Sequence, residues 1–225
     1  MMRALRLDLF QETVCYKKPF AMKISETYPL PPYSTVNGML HKLLDANSYI
    51  PLNISIQGNY ESIVNNYQTT YFYKKKEVTT MPMNQHMLLN MKLIIHINAE
   101  DDILDKIYDR LLNLDEYLSL GRKEDLVRID DIKFVEVQSY DVDDDNEDEY
   151  EENKLSGYYI KIPIYIPKNK DSKLNGISYR LNNFYLNDRS SWNKIDTLYV
   201  EHGKQIIDGE ILLDEYKDLV CFNNI

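Results

Sequence analysis

Three short segments combine residue types that can bind phosphate or a nucleobase. In the first, Pro31–Gly38, a rigid proline turn delivers Tyr33 and Ser34 to the start of a helix. Free backbone N–H groups and the dipole at a helix N-terminus attract an anion such as phosphate. The same pattern is equally typical of an ordinary capped helix with Tyr33 as a packing residue, so both interpretations stay open.

The second segment places aromatic rings beside amino groups. Its side chains are Tyr71, Phe72, Tyr73, Lys74, Lys75 and Lys76. Rings that stack on bases, next to ammonium groups that neutralise phosphate, are what binding of single-stranded nucleic acid requires. The alternative is an exposed hairpin whose lysines discourage edge pairing. Because the segment lies in an excursion between two strands, we favour nucleic-acid binding.

The third segment is the turn LSLGRKEDLV at Leu118–Val127. Gly121 permits a tight turn, and Arg122 with Lys123 could form a two-pronged phosphate clamp. The acidic residues that follow could orient these cations or simply begin the turn. A solvated surface turn is the alternative.

Catalysis is the rival hypothesis. Metal-free RNA cleavage needs a base, an acid and a cation near the phosphate, and Tyr33, His41, His86 and Lys74–Lys76 supply these types. No pair of them has a diagnostic spacing, and no motif for phosphate cradling, a nucleophilic serine or zinc occurs. We therefore predict no catalytic residue, no metal and no cofactor.

The charge of the chain is concentrated in one run. Nine carboxylates lie in Asp141–Glu152, so the rest of the chain has a formal net charge of −1 instead of −10. A nucleic-acid groove is thus not excluded. Cys15 and Cys221 are predicted to be reduced packing thiols. Without an apolar leader or an apolar stretch of ~20 residues, the sequence predicts a soluble, cytoplasmic protein with no membrane partner.

Hydrophobic periodicity predicts the order strand, helix, strand, arm, strand, helix, strand. The strands are expected at 4–10, 54–60, 89–97 and 132–137, the helices at 34–44 and 98–112 with Ser34 and Asn98 as caps, and the arm at about 61–88. This βαββαβ order is typical of an α+β, ferredoxin-like fold of the RNA-recognition type.

The predicted organisation has three parts. Residues 1–140 form the ferredoxin-like domain with its arm, residues 141–155 an acidic, disordered loop, and residues 156–225 a smaller β-rich C-terminal part. Strands of the last part are expected near 158–166, 179–185, 197–200 and 205–213.

Four segments also occur in the order of a known family. They are the strand Arg3–Phe10, YPLPPYSTVNGML at Tyr28–Leu40, the strand Leu88–Ile97 and LSLGRKEDL at Leu118–Leu126. On these segments the chain resembles the CRISPR-associated "Cas five" family, the small RAMP-superfamily subunit of type I Cascade complexes. It looks most like the type I-B branch, in which a separate endonuclease processes the precursor RNA.

The resemblance implies a non-catalytic subunit that holds the repeat-derived 5′ handle of the CRISPR RNA. Its partners would be the Cascade backbone subunit, the large subunit and target DNA near the PAM. Tyr33 and Ser34, with Gly121 and Arg122, would face the handle, and the excursion carrying Tyr71–Lys76 would be or adjoin a thumb hairpin. The alternatives are a metal-independent endoribonuclease, as in type I-C members, and a protein adaptor without RNA.

Overall fold

The computed structural model describes residues 1–19, 24–143, 153–168, 174–185 and 191–223. They form an α+β fold, a mostly antiparallel sheet with two helices. Its first part contains β1 (Met2–Val14), β2 (Ile24–Ser25), α1 (Tyr33–Leu43), β3 (Asn53–Asn59), β4 (Ser62–Tyr73), β5 (Val78–Asn98), α2 (Asp101–Leu112) and β6 (Arg128–Asp143). The second part contains β7 (Lys154–Leu155), β8 (Tyr158–Tyr159), β9 (Ile164–Pro167), β10 (Ile177–Tyr185), β11 (Trp192–Val200), β12 (Gln205–Ile206), β13 (Asp208–Leu213) and β14 (Leu219–Val220).

Four strands form the centre of the sheet in the order β3, β5, β1 and β6, each antiparallel to its neighbour. Alternate residues of a strand point to one face, and in β1 the leucines at positions 5, 7 and 9 belong to the main core. The same core contains Val36 and Leu40 of α1 and Leu104 and Ile107 of α2. Both helices therefore cover this face.

The helices start at slightly different residues from those predicted. α1 begins at Tyr33 after the extended Pro32, and no described side chain caps it, so Ser34 is not its cap. Asn98 is the last residue of β5, and its amide donates to the carbonyl oxygen of Arg3. Glu100 is instead the residue before α2. The apolar stripes located both helices correctly because packing, not capping, fixes their position.

The arm is continuous with the sheet. β5 has 21 residues: its second half pairs with β1 and β3, and its first half pairs with β4. β3 and β4 follow the same register along β5, from Asn59 opposite Lys92 to Ser62 opposite Leu89. The interruption between them coincides with Asn90, whose φ is 50°. One long two-stranded ribbon thus leaves the sheet, where the sequence suggested an arm separate from its strand.

Most of the C-terminal strands extend the same sheet, whereas β8 and β12 pair with each other outside it. β9, β11 and β10 continue it beyond β3, and β13 and β14 continue it beyond β6. The hydroxyl of Tyr165 in β9 donates to the carbonyl oxygen of Leu30, which precedes α1. This contact ties the C-terminal part to the N-terminal core.

The acidic run overlaps a strand. Asp141, Val142 and Asp143 belong to β6 and pair with β13, and the side chain of Val142 is fully buried. Lys154–Leu155 is likewise a strand, so the predicted loop at 141–155 is shorter than expected. Its remaining acidic residues, 144–152, lie outside the described residues. Among the residues the structure describes, no helix is both long and apolar enough to cross a membrane.

Candidate nucleic-acid interface

The arm presents a row of exposed tyrosines. Tyr67, Tyr71 and Tyr73 alternate along β4 and therefore lie on one face of the ribbon. Their exposed fractions are 75%, 56% and 82%. A two-stranded ribbon cannot bury both of its faces, and no described element packs over these rings. The sequence prediction did not include Tyr67, although its spacing of four from Tyr71 was the available signal.

Lysines surround the tip of the arm. The turn is closed by the Lys74 N–H, which donates to the carbonyl oxygen of Glu77 at 2.9 Å. The Nζ of Lys74 lies 3.5 Å from the Glu77 carboxylate, with both side chains more than half exposed. Lys75 and Lys76 are also exposed. Since an exposed ion pair contributes little, all three ammonium groups can approach an anion.

The loop that was predicted to clamp phosphate is instead an internal tether. Gly121 has a φ of +117°, and a Cβ there would come within 2.8 Å of the Asp125 carboxylate. The Arg122 guanidinium donates to Asp125 through Nε and Nη2, the latter at 2.6 Å, and to Gln85 Oε1 through Nη1 at 2.8 Å. Glu124 lies 3.1 Å from the same Nη1.

The Arg122 guanidinium is therefore already engaged by other side chains of the protein and is not free to donate hydrogen bonds to a phosphate. Burial lowers the pKa of Arg122, but hydrogen bonding and charge from Asp125 outweigh this and leave it raised. Asp125 is itself buried and accepts from the backbone N–H of Cys15. The loop thus fastens the end of β1 to Gln85 at the root of the arm. Of the three predicted loop residues, Lys123 alone has an exposed side chain available to a ligand.

Tyr33 belongs to the hydrophobic core. Its side chain is fully buried, and burial raises the pKa of its hydroxyl well above the ordinary value. Its ring packs 6.1 Å from that of Tyr165. The prediction that Tyr33 contacts a ligand is not supported, because the proline turn directs the first helical side chain inward. Ser34, next to it, is half-buried and lines a surface groove.

This groove, called the α1 groove below, has a volume of about 660 Å³. It lies between α1, the turn after α1 and the ends of β10 and β11. Its lining is Ser34, Asn37, Gly38, His41, Ala46, Asn47, Ser48, Tyr49, Asn183, Phe184, Tyr185 and Trp192. The sequence indicated the α1 side of the groove, in the segment Pro31–Gly38 and in His41, but not the β10–β11 side, because that side comes from residues far along the chain.

The histidines of the nuclease hypothesis are placed apart from its tyrosine. Both ring nitrogens of His41 are engaged: Nδ1 lies 2.8 Å from the carbonyl oxygen of Asn37, and Nε2 accepts from the Ile50 N–H at 2.9 Å. His86 lies half-buried on the arm opposite Asn65. The hydroxyl of Tyr33 is fully buried, so it cannot act on an RNA together with either histidine.

A charged cluster lies on the sheet face opposite the helices. Arg6 contacts Asp214 at 2.5 Å and Asp218 at 2.7 Å, and His96 Nε2 lies 3.0 Å from Asp214. Burial alone would raise the pKa of Asp214, but hydrogen bonds from His96, the Asp218 N–H and Arg6 lower it to about 2. The cluster joins β1 and β5 to the turn between β13 and β14.

These charges are a buried structural feature. The described part of the chain contains no group of three or more His, Cys, Asp or Glu residues that could hold a metal ion. Cys15 and Cys221 are buried and are not joined in a disulfide, and burial raises the pKa of Cys15.

The chain is similar to known proteins both in its sequence and in its α+β fold. The sequence matches the family described as "CRISPR-associated protein (Cas_Cas5)" over residues 4–196. Because this match covers most of the 225 residues, the chain belongs to this family of CRISPR-associated proteins. The resemblance to the "Cas five" family is confirmed. No curated protein matches the sequence.

Two solved structures share the fold. A chain of a "CRISPR RNA-guided surveillance complex" is 14% identical with a TM-score of 0.55, covering 90% of this chain and 91% of that one. A "CRISPR protein from Archaeoglobus fulgidus" is 12% identical with a TM-score of 0.53, and the match covers 100% of both chains. At such low identity these matches show a common α+β fold.

Proposed function

We propose that this chain is a non-catalytic CRISPR RNA-binding subunit of a type I Cascade surveillance complex, acting in antiviral defence by holding the repeat-derived 5′ handle. The observation that carries the proposal is the arm, which exposes Tyr67, Tyr71 and Tyr73 on one face beside the lysines of its tip. Bases of a single strand stack on such rings while lysines neutralise the backbone. Family membership supports the CRISPR-associated role.

The proposal includes a fold assignment. The unit formed by β1, α1, β3, β5, α2 and β6 is the ferredoxin-like domain, and the ribbon of β4 with the first half of β5 is its thumb. The sheet order β3, β5, β1, β6 with all neighbours antiparallel supports this assignment, as do two helices that cover one face.

The proposed protein partners are the backbone and large subunits of Cascade, and target DNA near the PAM would lie close by. Outside the acidic run the chain has a formal net charge of −1, which suits surfaces covered by protein neighbours more than a free-standing RNA-binding protein. We assign the chain to the type I-B branch on the sequence resemblance.

The non-catalytic part rests on side-chain geometry. A general acid or base must reach the proton it transfers. The Tyr33 hydroxyl is buried in the core, and the His41 ring is occupied at both nitrogens by backbone groups. The buried Tyr33 hydroxyl and the occupied His41 ring support this part of the proposal.

The proposal is tested by incubating the full chain, without metal, with a labelled repeat RNA while both retention and cleavage are measured. We expect retention of the 5′ handle without cleavage. The double variant Tyr71→Ala/Tyr73→Ala should bind about 10-fold or more weakly, because each stacked base contributes about 1–3 kcal/mol. The fold should survive, because both rings are exposed.

The matched control is Tyr159→Ala, which removes a tyrosine that is 61% exposed on β8, outside the arm. It should bind RNA as the unchanged chain does. Equal losses in control and arm variant would remove the arm from the interface. Discrete cleavage products that disappear in His41→Ala or His86→Ala would show that the chain is a nuclease and would refute the proposed non-catalytic role.

A further inference from the structure

The α1 groove has one wall made of stacked rings. Tyr185 at the end of β10 and Trp192 at the start of β11 stack with their centroids 3.6 Å apart and their planes 30° apart. Tyr185 is 50% exposed and Trp192 is partly exposed. The pair is therefore held in place while keeping ring surface open to the groove. Open ring surface is what a nucleobase needs for stacking.

A second stack lies across the groove. Tyr49 packs against Phe184 at 4.2 Å and against the imidazole of His41 at 5.6 Å, with interplanar angles of 25° and 14°. His41 is in turn fixed by its hydrogen bonds to backbone groups of Asn37 and Ile50. These rings give the groove rigid aromatic sides before any ligand arrives.

Between these sides lies a buried hydrogen-bond acceptor without a donor. Asn37 is 4% exposed, and its Nδ2 donates to the backbone and side-chain oxygens of Asn183 at 3.2 and 3.1 Å. These two acceptors fix the orientation of the amide, since a flip would place oxygen against oxygen. Asn37 Oδ1 then has no hydrogen-bond partner among the described residues. A buried acceptor of this kind is costly unless something donates to it.

The groove is open beside Asn37. Gly38 follows Asn37 on α1 and is exposed, and a Cβ placed there would meet no atom of the described residues within 4 Å outside the backbone of its own helix. A cavity of about 660 Å³ falls in the range that holds a small organic group. Glycine is unfavourable in a helix, so its presence keeps this side of the groove wide.

We infer that the α1 groove binds one unpaired nucleobase of the RNA, with its ring stacked on the Tyr185–Trp192 pair and an N–H of its edge donated to Asn37 Oδ1. Stacking rings together with an amide that reads a base edge are the elements of single-strand RNA recognition. This inference rests on the proposed RNA binding, and it adds a base-binding site away from the tyrosines of the arm.

The chain contains a single tryptophan, which makes the groove directly observable. We would titrate the full chain with a labelled, unstructured repeat-handle RNA, following Trp192 fluorescence and RNA anisotropy together. A base stacked on the indole quenches its emission, so we expect saturable quenching with the same midpoint as the anisotropy. Free AMP, CMP, GMP and UMP, titrated separately, should quench only at far higher concentration.

Gly38→Leu is the blocking variant. The side chain extends into open space, and leucine favours the helix more than glycine does, so the variant should fold. We expect it to abolish most of the quenching and to weaken RNA binding several-fold. Asn113→Leu adds the same side chain at an exposed residue after α2, outside the groove, and should keep both signals.

The outcomes separate the inference from the proposed function. RNA binding by anisotropy without quenching, or quenching that Gly38→Leu leaves intact, would overturn the base site while RNA binding stands. No anisotropy change at all would overturn the proposed function and the base site with it. Tight quenching by a free nucleotide that an RNA strand does not improve would identify a mononucleotide site and refute the inference.

Discussion

Neutralising the arm tip is the sharpest test of how the RNA backbone is held. Lys74–Lys76 lie in and beside the turn between β4 and β5, and all three side chains are exposed. The only ion pair described for them joins Lys74 to Glu77 at 3.5 Å, an exposed contact that is easily exchanged for a phosphate. The variant Lys74→Gln/Lys75→Gln/Lys76→Gln removes the charges and keeps polar, slightly shorter side chains.

The expected magnitude follows from counterion release. Each phosphate neutralised on a single strand contributes about −0.7 to the slope of log affinity against log salt, so three lysines contribute about −2. Between 50 and 200 mM salt, the unchanged chain should therefore lose about 15- to 20-fold more affinity than the variant does.

The assay is equilibrium binding of labelled handle RNA at four or more salt concentrations. The control Lys42→Gln/Lys106→Gln/Lys204→Gln removes the same charge from exposed lysines of α1, α2 and the turn before β12. It should leave the slope of the unchanged chain in place. An arm variant whose slope equals that of the control would show that the tip lysines do not neutralise RNA phosphate.

Two further predictions concern stability. Gly121→Ala should lower the free energy of unfolding by about 1–3 kcal/mol, measured by chemical denaturation, because its φ is positive and the new Cβ meets Asp125. Gly203→Ala, also at positive φ but with open space around it, should lose less; an equal loss would mean that the Asp125 contact is unimportant. Asp214→Asn should lose about 2 kcal/mol at pH 7, because the contacts that lower the pKa of Asp214 to about 2 stabilise its ionised form by about that amount, while Arg6 keeps its contacts with Asp218 and Asp8. Since the folded pKa of about 2 lies below the ordinary 3.8, the stability that ionised Asp214 contributes is complete above about pH 4 and is lost as pH falls towards 2. The difference in the free energy of unfolding between the unchanged chain and Asp214→Asn should become smaller over that range. A difference that stays constant would contradict the assignment of Asp214 as an ionised partner of Arg6.

The local patterns of the sequence predicted the α+β fold class well. The alternation of apolar and polar residues in 4–10 and 89–97 located two central strands, because successive side chains of a half-buried strand point in turn to the core and to the other face of the sheet. The stripe of α1 located that helix for the same reason. The pairing of β9 with β3 could not be predicted, since partners about a hundred residues apart leave no local pattern.

The binding residues were harder to predict than the fold. Tyr33 and Arg122 have the right chemistry for RNA, but burial of one and the Asp125 contact of the other are tertiary facts. The exposure of the arm was easier to predict, because an aromatic and basic excursion that is too long for a loop has few ways to bury its side chains. The α1 groove combines α1 with strands near the other end of the chain, so no motif could reveal it.

The continuity of the arm with the sheet makes it a mechanical lever. Seven residues of β5, Val78–Asn84, lie between the tip and the root at Gln85, so at about 3.3 Å each the arm reaches about 23 Å from its root. Hydrogen bonds to β1 and β3 clamp the base of β5, so a force on the tip becomes a torque on the sheet. Because β1 pairs with β5 on both sides of Asn90 and Arg122 holds Gln85, bending concentrates in the part of the arm beyond Gln85. A neighbour that pulls the tip can therefore tilt the arm while the sheet keeps its hydrogen bonds.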